Sequence, residues 1–162
     1  MSEEELVLET CDVRPGDEPF LYRLYASTRD EEITAWGWDQ HAREAFLNMQ
    51  FRLQQQSYRN QYPQAEHRLV LDQSIPIGQY RLFRGDEEFV VVDISFEPNW
   101  RNKGFGSSLF RLWQIEASRS GKGIRLHVLQ GNRARKMYER FGFVTVKQDG
   151  LYVEMMWEER TE

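Results

Sequence analysis

The segment Arg101-Asn102-Lys103-Gly104-Phe105-Gly106-Ser107 combines residue types and spacing suited to chemistry. Two glycines two residues apart let the chain bend tightly and leave backbone N–H groups uncovered. The segment follows an apolar run from Phe89 to Phe96 and precedes an amphipathic pattern from Leu109 to Ala117. Strand, glycine turn, helix is the layout of a backbone cradle for a phosphate-bearing group. The helix adds its unpaired N–H groups and the positive end of its dipole. The spacing is not that of two familiar nucleotide motifs. A dinucleotide fingerprint needs a third glycine where Leu109 stands, and a P-loop needs a lysine where Ser107 stands. The plain alternative is an ordinary strand-to-helix connection that holds two glycines.

A second segment runs from Ile124 to Phe143. Ile124, Leu126 and Val128 alternate as a strand does. Asn132 suits a helix N-cap, Ala134, Met137, Tyr138 and Phe141 recur at helical spacing, and Gly142 suits the C-cap. Together, Arg-x-x-Gly-x-Gly from Arg101 and Asn-x-Ala-x-x-x-Tyr-Glu-x-x-Gly-Phe from Asn132 resemble the two signatures of the GCN5-related N-acetyltransferase family. The resemblance is detailed from about Val90 to Trp157 and in outline elsewhere. One departure stands in it. Asn132 precedes Tyr138 by six positions where many members have seven, so Gly131 holds the alternative place.

The resemblance implies acetyl-CoA as co-substrate. It places the pantetheine arm against the backbone of Ile94, Ser95 and Phe96, where its amides can pair like a short extra strand. It places the pyrophosphate on N–H groups from Asn102 to Ser107, across Lys103, Gly104, Phe105 and Gly106. Arg101 or Lys103 can add charge there, or simply face solvent. Asn132 takes a cofactor role only if the spacing departure allows it. Tyr138 is the expected catalytic phenol, giving a proton or hydrogen bond to the departing thiolate. Its alternative is a core tyrosine beside Phe141. His127 is the expected base, since an unperturbed imidazole pKa of about 6.5 suits that duty. Its alternative is a solvent-facing or core histidine, and Asp93 and Glu97 are weaker rivals. Glu31 and Trp36 represent the acidic and aromatic groups that can hold an amine by charge and cation–π contact.

The elements that must position these residues read in the order β-α-α-β-β-β-α-β-α-β-β. A first strand spans Leu6 to Arg14, and a helix spans Glu18 to Ser27, capped by Asp17. Thr28 to Glu32 forms a charged connection. A longer helix runs from about Asp39 to Tyr58. Strands follow at His67–Leu71, Ile77–Phe83 and Phe89–Phe96. After the helix ending near Ser120 come the Ile124–Leu129 strand, the Asn132 helix and two strands joined by Asp149-Gly150, a hairpin signal. The residues alone imply a mixed α/β single domain. The resemblance refines this to a mixed central sheet splayed between two parallel strands, one domain over residues 1–162 with its core from about 6 to 158.

With 162 residues and 40% hydrophobic content, the chain can bury a proper core. The expected setting is cytoplasmic, without membrane insertion, since the start is acidic and no apolar run reaches spanning length. A net charge of −5 argues against broad nucleic-acid binding. Cys11 stands alone, and a structural thiol is expected rather than a nucleophile. His41, His67 and His127 lack ligand spacing, so no metal is expected. The leading expectation is direct transfer of an acetyl group to a primary amine of a small molecule or peptide. The rivals are a non-catalytic acyl-CoA-binding or interaction module on the same fold, and transfer of another acyl group to an amine or hydroxyl. Dimers are frequent in the family, which leaves a homodimer open.

Overall fold

The computed structural model describes residues 8–159. One mixed sheet forms the framework. Its strands are β1 (Glu9–Asp12), β2 (Glu66–Asp72), β3 (Ile75–Arg84), β4 (Glu88–Phe96), β5 (Gly123–Leu129), β6 (Val144–Asp149) and β7 (Tyr152–Trp157). They lie side by side in the order β1-β2-β3-β4-β5-β7-β6. Every neighbouring pair is antiparallel except β4 and β5. The helices are α1 (Glu18–Ala35), α2 (Gln40–Gln61), α3 (Phe105–Arg119) and α4 (Ala134–Arg140). This is the element order expected from the sequence, with single 3-10 turns added at Pro15–Asp17 and Pro98–Trp100.

Several boundaries differ. Leu6 and Val7 of the expected first strand lie outside the described residues. Helix α1 does not stop at Ser27 but continues through the expected charged connection to Ala35. Arg29–Glu32 at 3.0 Å supports this extension, and Asp30 is paired to Arg43 of α2 at 3.0 Å. Asp17 does not cap α1 with its side chain; its carboxylate accepts from the Arg14 N–H at 2.8 Å instead. Asp39 does cap α2, accepting from the Ala42 N–H at 2.8 Å.

The two faces of the sheet carry different packing. Helices α3 and α4 cover one face with the main core, which includes Phe110, Trp113, Leu126, Tyr138 and Met155. Phe110 alone touches the rings of Trp113, Tyr138, Phe141 and Phe143. Helices α1 and α2 cover the other face with a smaller cluster around Leu21, Phe51 and Leu69, against which Cys11 packs. On that face Arg125 of β5 pairs with Glu88 of β4 at 2.8 Å and with Glu154 of β7, joining three strands across the parallel pair.

Two irregularities reset the side-chain alternation. The β2–β3 register shifts between Val70 and Leu71, and the β3–β4 register shifts so that Arg81 faces Asp93 while Leu82 faces Val91. Val92 is the extra residue of a bulge on β4. Before it, Phe89 and Val91 enter the main core; after it, Ile94 and Phe96 do. Asp93 and Ser95 are thereby turned to the α1/α2 face, beside Gln79.

Candidate active site

The parallel pairing of β4 and β5 covers only Glu88 to Val91 against Gly123 to Leu126. Beyond that point β5 continues to pair with β7 through Leu129, and β4 continues to pair with β3 through Phe96. The two strands therefore separate just after the Val92 bulge. Among the described residues the β4 edge facing β5 has no strand partner along Asp93–Phe96, so its polar backbone is open to an extended ligand.

The glycine turn stands at the end of this opening. Gly104 is the N-cap of α3 in the left-handed region, with φ 94°, and no side chain among the described residues caps the helix. Asn102 is left-handed as well, with φ 60°. The first helical hydrogen bond of α3 runs from the Ser108 N–H to the Gly104 carbonyl at 3.0 Å, so the N–H groups of Phe105, Gly106 and Ser107 precede the ladder. A Cβ on Gly106 would come within 3.6 Å of the Phe96 ring and 4.0 Å of Met137 of α4. The turn, the end of β4 and α4 thus meet around one point. Gly78 of β3 makes room for that arrangement: a Cβ there would sit 2.4 Å from Phe96 Cδ1 and 2.7 Å from the Ser95 carbonyl.

Arg101 has a structural part in the turn. Its Nε donates to the Phe96 carbonyl at 3.1 Å and its Nη2 to Ser27 Oγ of α1 at 3.2 Å. Asn102 and Lys103 are exposed. Ile94, Ser95, Phe96 and the 101–107 turn are therefore brought together, with Arg101 as the brace between them. Asn132 is not part of this group. Its Oδ1 accepts from the Ala134 N–H at 2.9 Å just ahead of α4, whose N-cap is Arg133 and not the expected Asn132.

Tyr138 projects from α4 with its ring in the main core, 5.2 Å from Phe110 and 6.1 Å from Phe143. Its hydroxyl makes no hydrogen bond among the described residues, yet it is not enclosed as an unpaired buried group. Burial, and secondarily the Asp93 charge, push the phenol pKa up to about 12. The phenol is thus a proton donor across the neutral range. His127 is exposed on β5, on the face opposite Leu126 and Val128. Its pKa is lowered by partial burial and by the neighbouring Arg125 charge, so the imidazole is neutral at pH 7.

Behind the opening lies a polar chain that sequence reasoning did not assemble. His67 Nε2 meets Gln79 Oε1 at 3.0 Å, and Gln79 Nε2 donates to Asp93 Oδ2 and to Ser95 Oγ, both at 2.9 Å. The Asp93 carboxylate requires the amide nitrogen of Gln79 as its partner, so Gln79 Oε1 accepts and His67 carries its proton on Nε2. Burial, then the Arg81 charge, depress His67 to about 4, against the Gln79 hydrogen bond. Burial raises Asp93 above the ordinary carboxylate range, against the Gln79 bond, the Arg81 charge and the Ile94 N–H. Arg81, directly opposite Asp93, donates to Gln55 Oε1 of α2 at 2.6 Å and lies 5.6 Å from the centre of the Tyr58 ring. Burial and the Asp93 charge raise Tyr58. The polar residues at alternate positions of β3 were the available signal, since Gln79 and Arg81 interrupt an otherwise apolar strand.

Glu31 and Trp36 are not joined to this constellation. Glu31 is exposed on α1 rather than in a connection. Trp36 follows α1 and packs with Trp38 and Phe46, at 5.3 and 5.6 Å. Shallow grooves along α2, one lined by Leu53, Gln56 and Asn60, lie on its outer side. Among the described residues no group of three His, Cys, Asp or Glu could hold a metal, and no helix is long and apolar enough to cross a membrane.

Known proteins resemble this arrangement. The PaiA N-acetyltransferase from Thermoplasma acidophilum, solved in complex with coenzyme A, superposes with TM-score 0.68 and 17% identity over 95% of this chain and 100% of its own. An acetyltransferase from Thermus thermophilus gives 0.68 and 18% over 96% and 99%. Ard1 from Thermoplasma volcanium gives 0.61 and 16% over 96% and 99%. At these identities the likeness shows the fold. No curated protein matches the chain significantly in sequence. The family model described as an acetyltransferase (GNAT) domain matches residues 64–145, which include the split strand pair, the glycine turn and α4. Over half of its length, then, the chain carries the sequence pattern of that domain in the fold that goes with it, and it belongs to the GNAT acetyltransferase family.

Proposed function

We propose that the protein is an acetyl-CoA-dependent N-acetyltransferase acting on a primary amine of a small molecule or peptide. The observation that carries this reading is the separation of β4 and β5 after Val91 beside an uncapped, left-handed glycine turn. An amide-bearing arm fits the open β4 edge at Ile94–Phe96, and a pyrophosphate fits the N–H groups before the α3 ladder. The CoA complex of the Thermoplasma acidophilum relative, which shares the fold, supports that placement.

Acetyl-CoA supplies an acetyl group as a thioester, whose C–S bond breaks as the C–N bond to the amine forms. Tyr138 gives the proton that the sulfur gains. Its raised pKa keeps that proton in place until charge develops on sulfur. Asp93 supports this by holding negative charge within electrostatic reach of the phenol. His127 takes the proton that the nitrogen loses, directly or through water, from the exposed face of β5. It is neutral and able to accept at pH 7. Arg101 fixes the distance between the β4 edge and the turn. Transfer is direct, since Cys11 packs in the α1/α2 cluster, remote from the glycine turn in sequence.

Calorimetric titration with acetyl-CoA and with free CoA tests the reading. Micromolar affinity, roughly −8 kcal/mol, followed by thiol release with an amine panel, is the expected result. Absence of CoA binding overturns it, and binding without turnover of any amine would favour a non-catalytic module.

A further inference from the structure

Arg81 is 6% exposed, and its hydrogen-bonding capacity is poorly met for a buried cation. Its one hydrogen bond among the described residues is to the neutral oxygen of Gln55. Its Nε is enclosed without an acceptor. Asp93 stands opposite it in register but is held by Gln79, and no carboxylate lies within ion-pair distance of the guanidinium among the described residues. Among those residues Nη1 has no acceptor either, and unlike Nε it is not enclosed. Asp93 acts favourably on Arg81 across the strand pair, while Arg59 of α2 adds positive charge close enough to act against both Arg81 and His67. A buried guanidinium whose counter-charge is only across the strand pair, with two of its nitrogens unpaired among the described residues, is incompletely compensated. Such a group persists where an anion completes it.

The surroundings say which anion. Arg81 sits on the α1/α2 face of the sheet, the face that also carries His127 and on which Tyr152 of β7 is exposed. Tyr58 covers Arg81 and lies within electrostatic reach of Asp93 and Tyr152. The pyrophosphate cradle is elsewhere, at the N-terminus of α3. The anion is therefore on the acceptor. The free N–H groups of Nη1 match a carboxylate oxygen as a charge-assisted partner. We infer that the acceptor is an amine that also carries a carboxylate, an amino acid or a short peptide with a free carboxyl group, and that Arg81 binds that carboxylate.

This inference rests on the proposed acetyl transfer, and the two fail differently. With acetyl-CoA saturating, thiol release is measured for the common amino acids, for the corresponding amino-acid amides and for simple diamines. At least one free amino acid is expected to exceed its amide tenfold or more in kcat/KM. Arg81→Gln is expected to raise KM for that amino acid at least tenfold, to leave the amide rate and the calorimetric CoA affinity unchanged, and not to lower the melting temperature. Arg81→Lys is expected to recover part of the loss. Equal use of amides or diamines by the unaltered protein overturns the carboxylate inference and keeps acetyl transfer. So does an Arg81→Gln protein that is destabilised and slowed equally towards both acceptor classes, since that marks a structural arginine. CoA binding with no reaction in any class overturns the carboxylate acceptor, and loss of CoA binding in the unaltered protein removes both readings.

Discussion

Substitution at Gly104 separates the shape of the glycine turn from its access to a ligand. The residue has φ 94° and ψ −2° at the N-cap of α3. An L-residue in the left-handed region costs about 1–2 kcal/mol, more when β-branched. A domain of this size has about 5–15 kcal/mol of stability, so Gly104→Val remains folded. Its melting temperature should fall by roughly 2–8 °C, at about 2–4 °C per kcal/mol. The binding loss is larger. Charge-assisted hydrogen bonds contribute about 1.5–3 kcal/mol each, and losing two of the N–H contacts before Ser108 would weaken CoA by a factor of about 10² to 10⁴. Gly104→Asn is the control for strain, because asparagine tolerates the left-handed region, as Asn102 does at φ 60°. It should melt close to the unaltered protein and still lose affinity tenfold or more, because its side chain covers the N–H groups. The assay is calorimetry with free CoA beside a thermal melt. A folded Gly104→Val protein that binds CoA as tightly as the parent would refute the reasoning, because no ligand would then approach this backbone.

Three further outcomes are expected. Tyr138→Phe should lower kcat by about 10²- to 10⁴-fold with CoA affinity intact; the hydroxyl has no partner among the described residues, so the melt should barely move, and an unchanged kcat would make Tyr138 a core residue only. Gly78→Ala should lose about 1–3 kcal/mol and weaken CoA, because its Cβ would displace Phe96 and the Ser95 carbonyl; a neutral effect on both would mean that Phe96 does not shape the site. His67, neutral in the fold at about 4, is bound by more protons when unfolded between that value and about 6.5. Stability should fall as pH is lowered through this window, by at most about 3 kcal/mol. Asp93, raised in the fold, acts in the opposite sense: it favours the fold at low pH and loses this as pH rises. Denaturant melts from pH 7 to 4 should therefore show a shallower slope in His67→Gln, and equal slopes would remove His67 from the account.

How far the sequence reveals a feature depends on whether a local rule carries it. The element order follows from apolar periodicity and from glycine and proline punctuation. The glycine turn is legible because a left-handed position leaves a residue-type signature, and α4 is legible because Asn132 and Gly142 bracket it. The length of α1 is not, because Thr28–Glu32 has the composition of a solvated connection, whereas Arg29–Glu32 and Asp30–Arg43 pairing lets the helix run through it. Gln79 and Arg81 escape notice because partners 14 and 26 positions away decide their meaning: Asp93 for one and Gln55 for the other.

The bulge at Val92 explains the remaining gap, and it is also the pivot of the site. Strict alternation from Phe89 and Val91 would put Asp93 into the apolar core beneath α3, where an ionised carboxylate has no place. One extra residue reverses the parity. Asp93 and Ser95 then reach Gln79, while Ile94 and Phe96 join the core beside α3 and α4. The same extra residue coincides with the end of β4–β5 pairing at Val91 and Leu126. A single local insertion thus opens the strand edge, seats a carboxylate on the α1/α2 face and leaves Tyr138 on the other side of the opening. Nothing in residue type marks Val92 as bulged, since a valine suits a regular strand equally well. The feature arises from pairing with β3, where Arg81 and Leu82 must meet Asp93 and Val91. For that reason the two faces of the site are joined by topology and not by any motif in the chain.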